Sequence, residues 1–119
     1  MSMQLSVHFM VGIRIPKDSL ADYGINDIYS NDKWLPFIEG RPDVTAVGEN
    51  YHLLLVFGDP SDYYFGITVE GGGWGGYRDK ECIVLDRIPT KEEAYKLLRI
   101  AGVKCTEDQV QYMMVSYWS

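Results

Sequence analysis

The sequence predicts an α+β fold: a mainly antiparallel sheet of about five strands with two helices packed on one face. Three observations carry that expectation. Leu5, Val7, Phe9, Val11, Ile13 and Ile15 fall on alternate positions, the period-two pattern of a strand covered on one side. Tyr63, Phe65, Ile67 and Val69 alternate in the same way and come after the apolar run His52–Phe57 across Gly58-Asp59-Pro60-Ser61, which is turn chemistry and makes a β-hairpin. Ala94, Leu97, Leu98 and Ala101 stand at the spacing of one helix face behind Thr90-Lys91-Glu92-Glu93, a capping-box pattern.

Taken in order, the first strand runs near residues 4–15 and ends at Pro16, whose fixed φ and missing N–H close it. Lys17-Asp18-Ser19 then opens a helix with Leu20, Ala21, Tyr23 and Ile28 facing inward, weakened by Gly24. Residues 30–50 hold Trp34, Pro36, Gly40, Pro42 and Gly48, a density of breakers that suits a loop or short helical turns. Val44–Val47 is expected to be a short strand pairing with the next one. His52–Phe57 is apolar on both faces and reads as a central strand, succeeded by a strand near 62–70. Cys82–Leu85 marks another strand near 81–87, ended by Pro89. The helix after Thr90 is closed by Gly102 in the left-handed conformation. Thr106–Gln109 opens a single turn, and Gln111–Trp118 is the final strand. The specific version of this order is a ferredoxin-like βαββαβ core with an added strand.

The 119 residues and 46% hydrophobic content fit a single globular domain spanning 1–119. The formal charge is −6, and it is unevenly spread. Residues 1–62 carry four basic and nine acidic side chains, whereas residues 63–119 carry seven and eight. An acidic surface repels phosphate backbones, so direct nucleic-acid binding is disfavoured. Met1–Ile15 alternates and does not have the layout of a signal peptide, and no run approaches a membrane span. Two cysteines without a CxxC pairing indicate a reducing, cytoplasmic setting.

Catalytic and metal constellations are not legible. His8 and His52 each lack a second His or Cys at ligand spacing, and no G-x-S-x-G elbow is present, so neither a metal, a cofactor nor a catalytic residue is assigned. Gly71, Gly73 and Gly76 satisfy G-x-G-x-x-G in form. That fingerprint requires a helix start immediately after the loop, and Tyr77-Arg78-Asp79-Lys80-Glu81 leads into a strand instead. The same loop carries Trp74 among five glycines, with Tyr77 and Arg78 just beyond. Trp, Tyr and Arg dominate binding hot spots, so these three are candidate partner contacts, against Trp74 folding back into the core. Trp34, in the apolar segment Trp34–Ile38, is a fourth candidate if exposed, and a lid over the core if buried.

The functional expectation is a non-enzymatic acidic protein–protein interaction module, an inhibitor or regulator of a basic or nucleic-acid-binding partner. A second reading is a small-ligand binder or minor enzyme with a pocket between the sheet and the residue 30–50 segment, supported if polar groups such as His8, Arg14, His52 or Tyr64 converge on one face. A third is a homo-oligomeric structural component associating through the C-terminal strand.

Overall fold

The computed structural model describes residues 5–30, 32–48, 51–58, 62–69 and 88–118. They form a four-stranded antiparallel sheet and several helical segments: β1 (Leu5–Ile15), a 3-10 helix (Lys17–Tyr23), α1 (Leu35–Glu39), α2 (Pro42–Thr45), β2 (Tyr51–Phe57), β3 (Tyr63–Val69), α3 (Lys91–Ile100), a second 3-10 turn (Glu107–Gln109) and β4 (Gln111–Trp118). The sheet order is β2-β3-β1-β4. The expected strand near 81–87 lies outside the described residues, so the described sheet has four strands.

Strand parity decides the two faces of the sheet. Val11, Ile13 and Ile15 pair with Ile67, Phe65 and Tyr63, and Leu53 and Leu55 lie opposite Ile67 and Phe65. These side chains meet the helical layer in one core, with Ile25, Ile28, Trp34, Ala94, Leu98, Val103, Cys105 and Val110. Burial pushes the Cys105 thiol up, so this free cysteine stays neutral and behaves as a small hydrophobe.

The first crossover is not one helix. A 3-10 helix stops at Gly24, which is left-handed at φ 78, and two short helices come after it, with Pro36 in the first turn of α1 and Gly40 left-handed at its end. Proline and glycine at this spacing cut any helix after a turn or two. The expected strand at Val44–Val47 is reduced to a single bridge, Ala46 to His52. The three leucines of β2 are buried on both faces, as expected of a strand apolar on both sides. In the described sheet β2 pairs with β3, and α1 and α2 pack against it.

α3 forms as its sequence directs. The Thr90 side chain accepts a hydrogen bond from the Glu93 amide at 3.1 Å, and Ala94 and Leu98 are fully buried. At the far end Gly102 has φ +96, its N–H donates to the Arg99 carbonyl, and the Val103 N–H donates to the Leu98 carbonyl. That is the Schellman arrangement, with buried Val103 as its apolar anchor.

Two glycines let neighbouring strands close up. Gly12 faces Gly66 across β1 and β3, and a Cβ on either would collide with the backbone of the other strand. The backbones therefore approach more closely than side chains allow. On this second face Gly58, just beyond β2, lies so near Tyr64 and Val115 that a Cβ there would stand 2.7 Å from the Tyr64 ring and 3.1 Å from Val115 Cγ1. Met10, Tyr64 and Val115 form a second, smaller apolar cluster.

Candidate functional site

The first crossover has a marked excess of acidic side chains. Between Lys17 and Thr45 it carries Asp18, Asp22, Asp27, Asp32, Glu39 and Asp43, and all six carboxylates are exposed. Its cations are Lys17, Lys33 and Arg41. Arg41 pairs with Asp43 at 3.2 Å, and Lys33 lies over the Trp34 ring at 4.7 Å from its centroid. The segment is acidic by composition, and its breakers keep it in short turns. Only Leu20, Tyr23, Ile25, Ile28, Trp34, Phe37 and Ile38 reach into the core.

Beside this surface, at the hairpin end of the sheet, stands an aromatic group. Phe57 and Tyr63 close β2 against β3 with ring centroids 4.9 Å apart. The Tyr63 hydroxyl shares a hydrogen bond with Tyr29, and its pKa is pushed up to about 12, first by burial and then by that bond. Tyr29 is 67% exposed and Phe57 44%. Tyr29 is carried there by a turn in which Ser30 N–H donates to the Asp27 carbonyl at 2.9 Å. Asp27 opens that turn at φ 51, a left-handed conformation that Asp tolerates.

The second face of the sheet holds a polar pair at its opposite end. His52 lies opposite Thr68 on β3, and Met10 lies opposite Thr68 on β1. His8, two residues before Met10, places Nδ1 3.3 Å from Thr68 Oγ1. Thr68 is fully buried and His8 is 8% exposed. Burial, and then the neighbouring His52, lower the His8 pKa to about 4, so its imidazole is neutral at pH 7. Of the four polar groups whose convergence would support a pocket, His8 and His52 converge here on Thr68. Arg14 and Tyr64 share the face but lie opposite one another at the far end of the strands. Arg14 is ion-paired with Asp62, and the Met10–Tyr64–Val115 cluster fills the space between. Among the described residues no group of three or more His, Cys, Asp or Glu side chains could hold a metal.

Trp34, expected as a partner contact if exposed, is a core residue. It is 1% exposed and packs edge-on against Phe65 with ring centroids 6.1 Å apart and tilted against Phe37 at 6.2 Å. Its position before the short helix α1 turns the indole inward across the sheet. Trp74, Tyr77 and Arg78 lie outside the described residues. The exposed Tyr29–Phe57 pair is not singled out by the sequence. Parity along the hairpin does put Phe57 and Tyr63 on one face, but nothing local tells that the turn at Asp27–Ser30 delivers Tyr29 to them.

Among the described residues no helix is long and apolar enough to cross a membrane. No family model matches the chain, and no curated protein and no solved structure matches it either.

Proposed function

We propose that this protein works without catalysis, by binding another protein, and that it acts as an inhibitor or regulator of a basic, nucleic-acid-binding partner in the cytoplasm. The observation that supports this reading is the first crossover, whose six carboxylates are all exposed against three cations. Exposed like charge on one segment raises the local negative potential, speeds encounter with a basic surface and disfavours acidic ones. Ionic strength tests it. Immobilised protein should retain a basic polypeptide at low salt and release it as salt rises toward the range where exposed charges are screened. Retention that is unaffected by salt, or no retention at low salt, overturns the reading.

A second reading is a small-ligand site on the second face of the sheet, favoured by the convergence of His8 and His52 on Thr68. Chemical-shift perturbation of the two imidazoles by a ligand would support it. A third, self-association through β4, draws on the position of β4 at the outside of the described sheet and on its lack of charged residues from Gln111 to Trp118. Sedimentation as a monomer at high concentration would remove it. For the fold, the strand order β2-β3-β1-β4 with helical crossovers supports the ferredoxin-like assignment.

A further inference from the structure

We propose that the exposed rings of Tyr29 and Phe57, at the edge of the acidic crossover, form the anchor at which an arginine-rich protein segment binds. This inference rests on the protein-binding reading above and names the chemistry of its partner. Phe57 is braced by Tyr63 at 4.9 Å between ring centroids, and Tyr29 is tied to the same Tyr63 by a hydrogen bond. The two exposed rings therefore both meet Tyr63 at the hairpin end of the sheet. Aromatic residues placed in this way, on a surface otherwise polar, supply contact area at low entropic cost.

The charge carried by the segment around Tyr29 selects what can stack on these rings. Asp27 lies in the turn that carries Tyr29, and Asp22 and Asp32 flank that turn in sequence, all three exposed. A cationic group that lies flat on a ring and also pairs with a nearby carboxylate satisfies both features. The guanidinium of arginine does this: it is planar, weakly hydrated, stacks on aromatic faces and bonds carboxylates in a fork. A lysine ammonium is a strongly hydrated point charge and gains from the carboxylates alone. The site accordingly discriminates arginine from lysine, which the acidic crossover alone would not.

The test uses the full chain, an arginine-rich peptide and a lysine-rich peptide of equal length and charge, with binding followed by calorimetry at low salt. The wild-type protein should bind the arginine peptide more tightly, by roughly five- to thirtyfold for two exposed ring contacts. The double variant Tyr29→Leu/Phe57→Leu keeps apolar area but removes both π faces, and circular dichroism reports whether it is folded. It should bind the two peptides alike, while the lysine affinity stays near the wild-type value. Phe57→Tyr, which keeps a ring, should retain the arginine preference and guards against a folding defect in the double variant. Equal affinity of the wild type for both peptides, or an arginine preference that survives the double variant, overturns this inference and leaves the acidic-surface reading standing. If neither peptide binds, both fail. Dimerisation of the wild type that is abolished in the double variant would identify a second copy as the occupant and overturn the proposal.

Discussion

His8 is the residue whose chemistry departs furthest from its ordinary state. Its sequence context, a histidine on the less apolar face of β1, reads as an ordinary strand histidine. The structure buries it beside Thr68 and His52, and its pKa falls from 6.5 to about 4. The unfolded chain therefore takes up this proton first as pH falls. The contribution is fully present above about pH 6.5 and is lost between there and pH 4, where the two pKa values imply a loss of about 3 kcal/mol. Urea midpoints measured at pH 7 and pH 4.5 should show that loss, and His8→Gln should flatten the dependence through this window. A wild-type midpoint that rises as pH falls through the window would refute the assignment. Trp34 illustrates the opposite limit. Its sequence neighbourhood allows either an exposed patch or a lid, because one aromatic among prolines has no periodicity to orient it. Its burial is decided by long-range packing on Phe65 and Phe37.

Individual elements divide by how local their causes are. α3 is legible almost to the residue because its cap, its apolar spacing and its terminating glycine all lie within or next to it. Thr90→Ala should cost about 1 kcal/mol through loss of the bond to the Glu93 amide, and Gly102→Ala a similar amount through its left-handed backbone. Thermal melts of the two single variants check both, and a Thr90→Ala variant as stable as wild type would show that the cap adds nothing. β1 and β3 are legible from alternation. Their close approach is not, because Gly12 and Gly66 become meaningful only once they are found opposite one another. Gly12→Ala should destabilise by about 2–3 kcal/mol, since the added methyl meets backbone that cannot move aside. A neutral Gly12→Ala would contradict the close approach. The first crossover is legible as breaker-rich but not as a 3-10 helix and two short helices, whose ends depend on where each segment meets the sheet.

For the molecule as a whole, the antiparallel α+β class is legible in the order of alternating and helical runs, and the described sheet has four strands. Burial of Leu53, Leu54 and Leu55 reports cover on both faces of β2 and says nothing about its neighbours in the sheet plane. The acidity of the N-terminal half is visible in composition, whereas its concentration on an exposed crossover requires the fold. Trp74, Tyr77 and Arg78 stay sequence-level candidates. Neutralising the crossover tests the account most directly. A variant with Asp18, Asp22, Asp27, Asp32 and Glu39 replaced by their amides should keep its fold by circular dichroism, since all five side chains are exposed. In calorimetry at low salt it should bind a basic polypeptide at least roughly tenfold more weakly than wild type, given the long-range attraction that is removed. Binding as tight as wild type in the folded variant would contradict the assignment of this surface as the one offered to a partner.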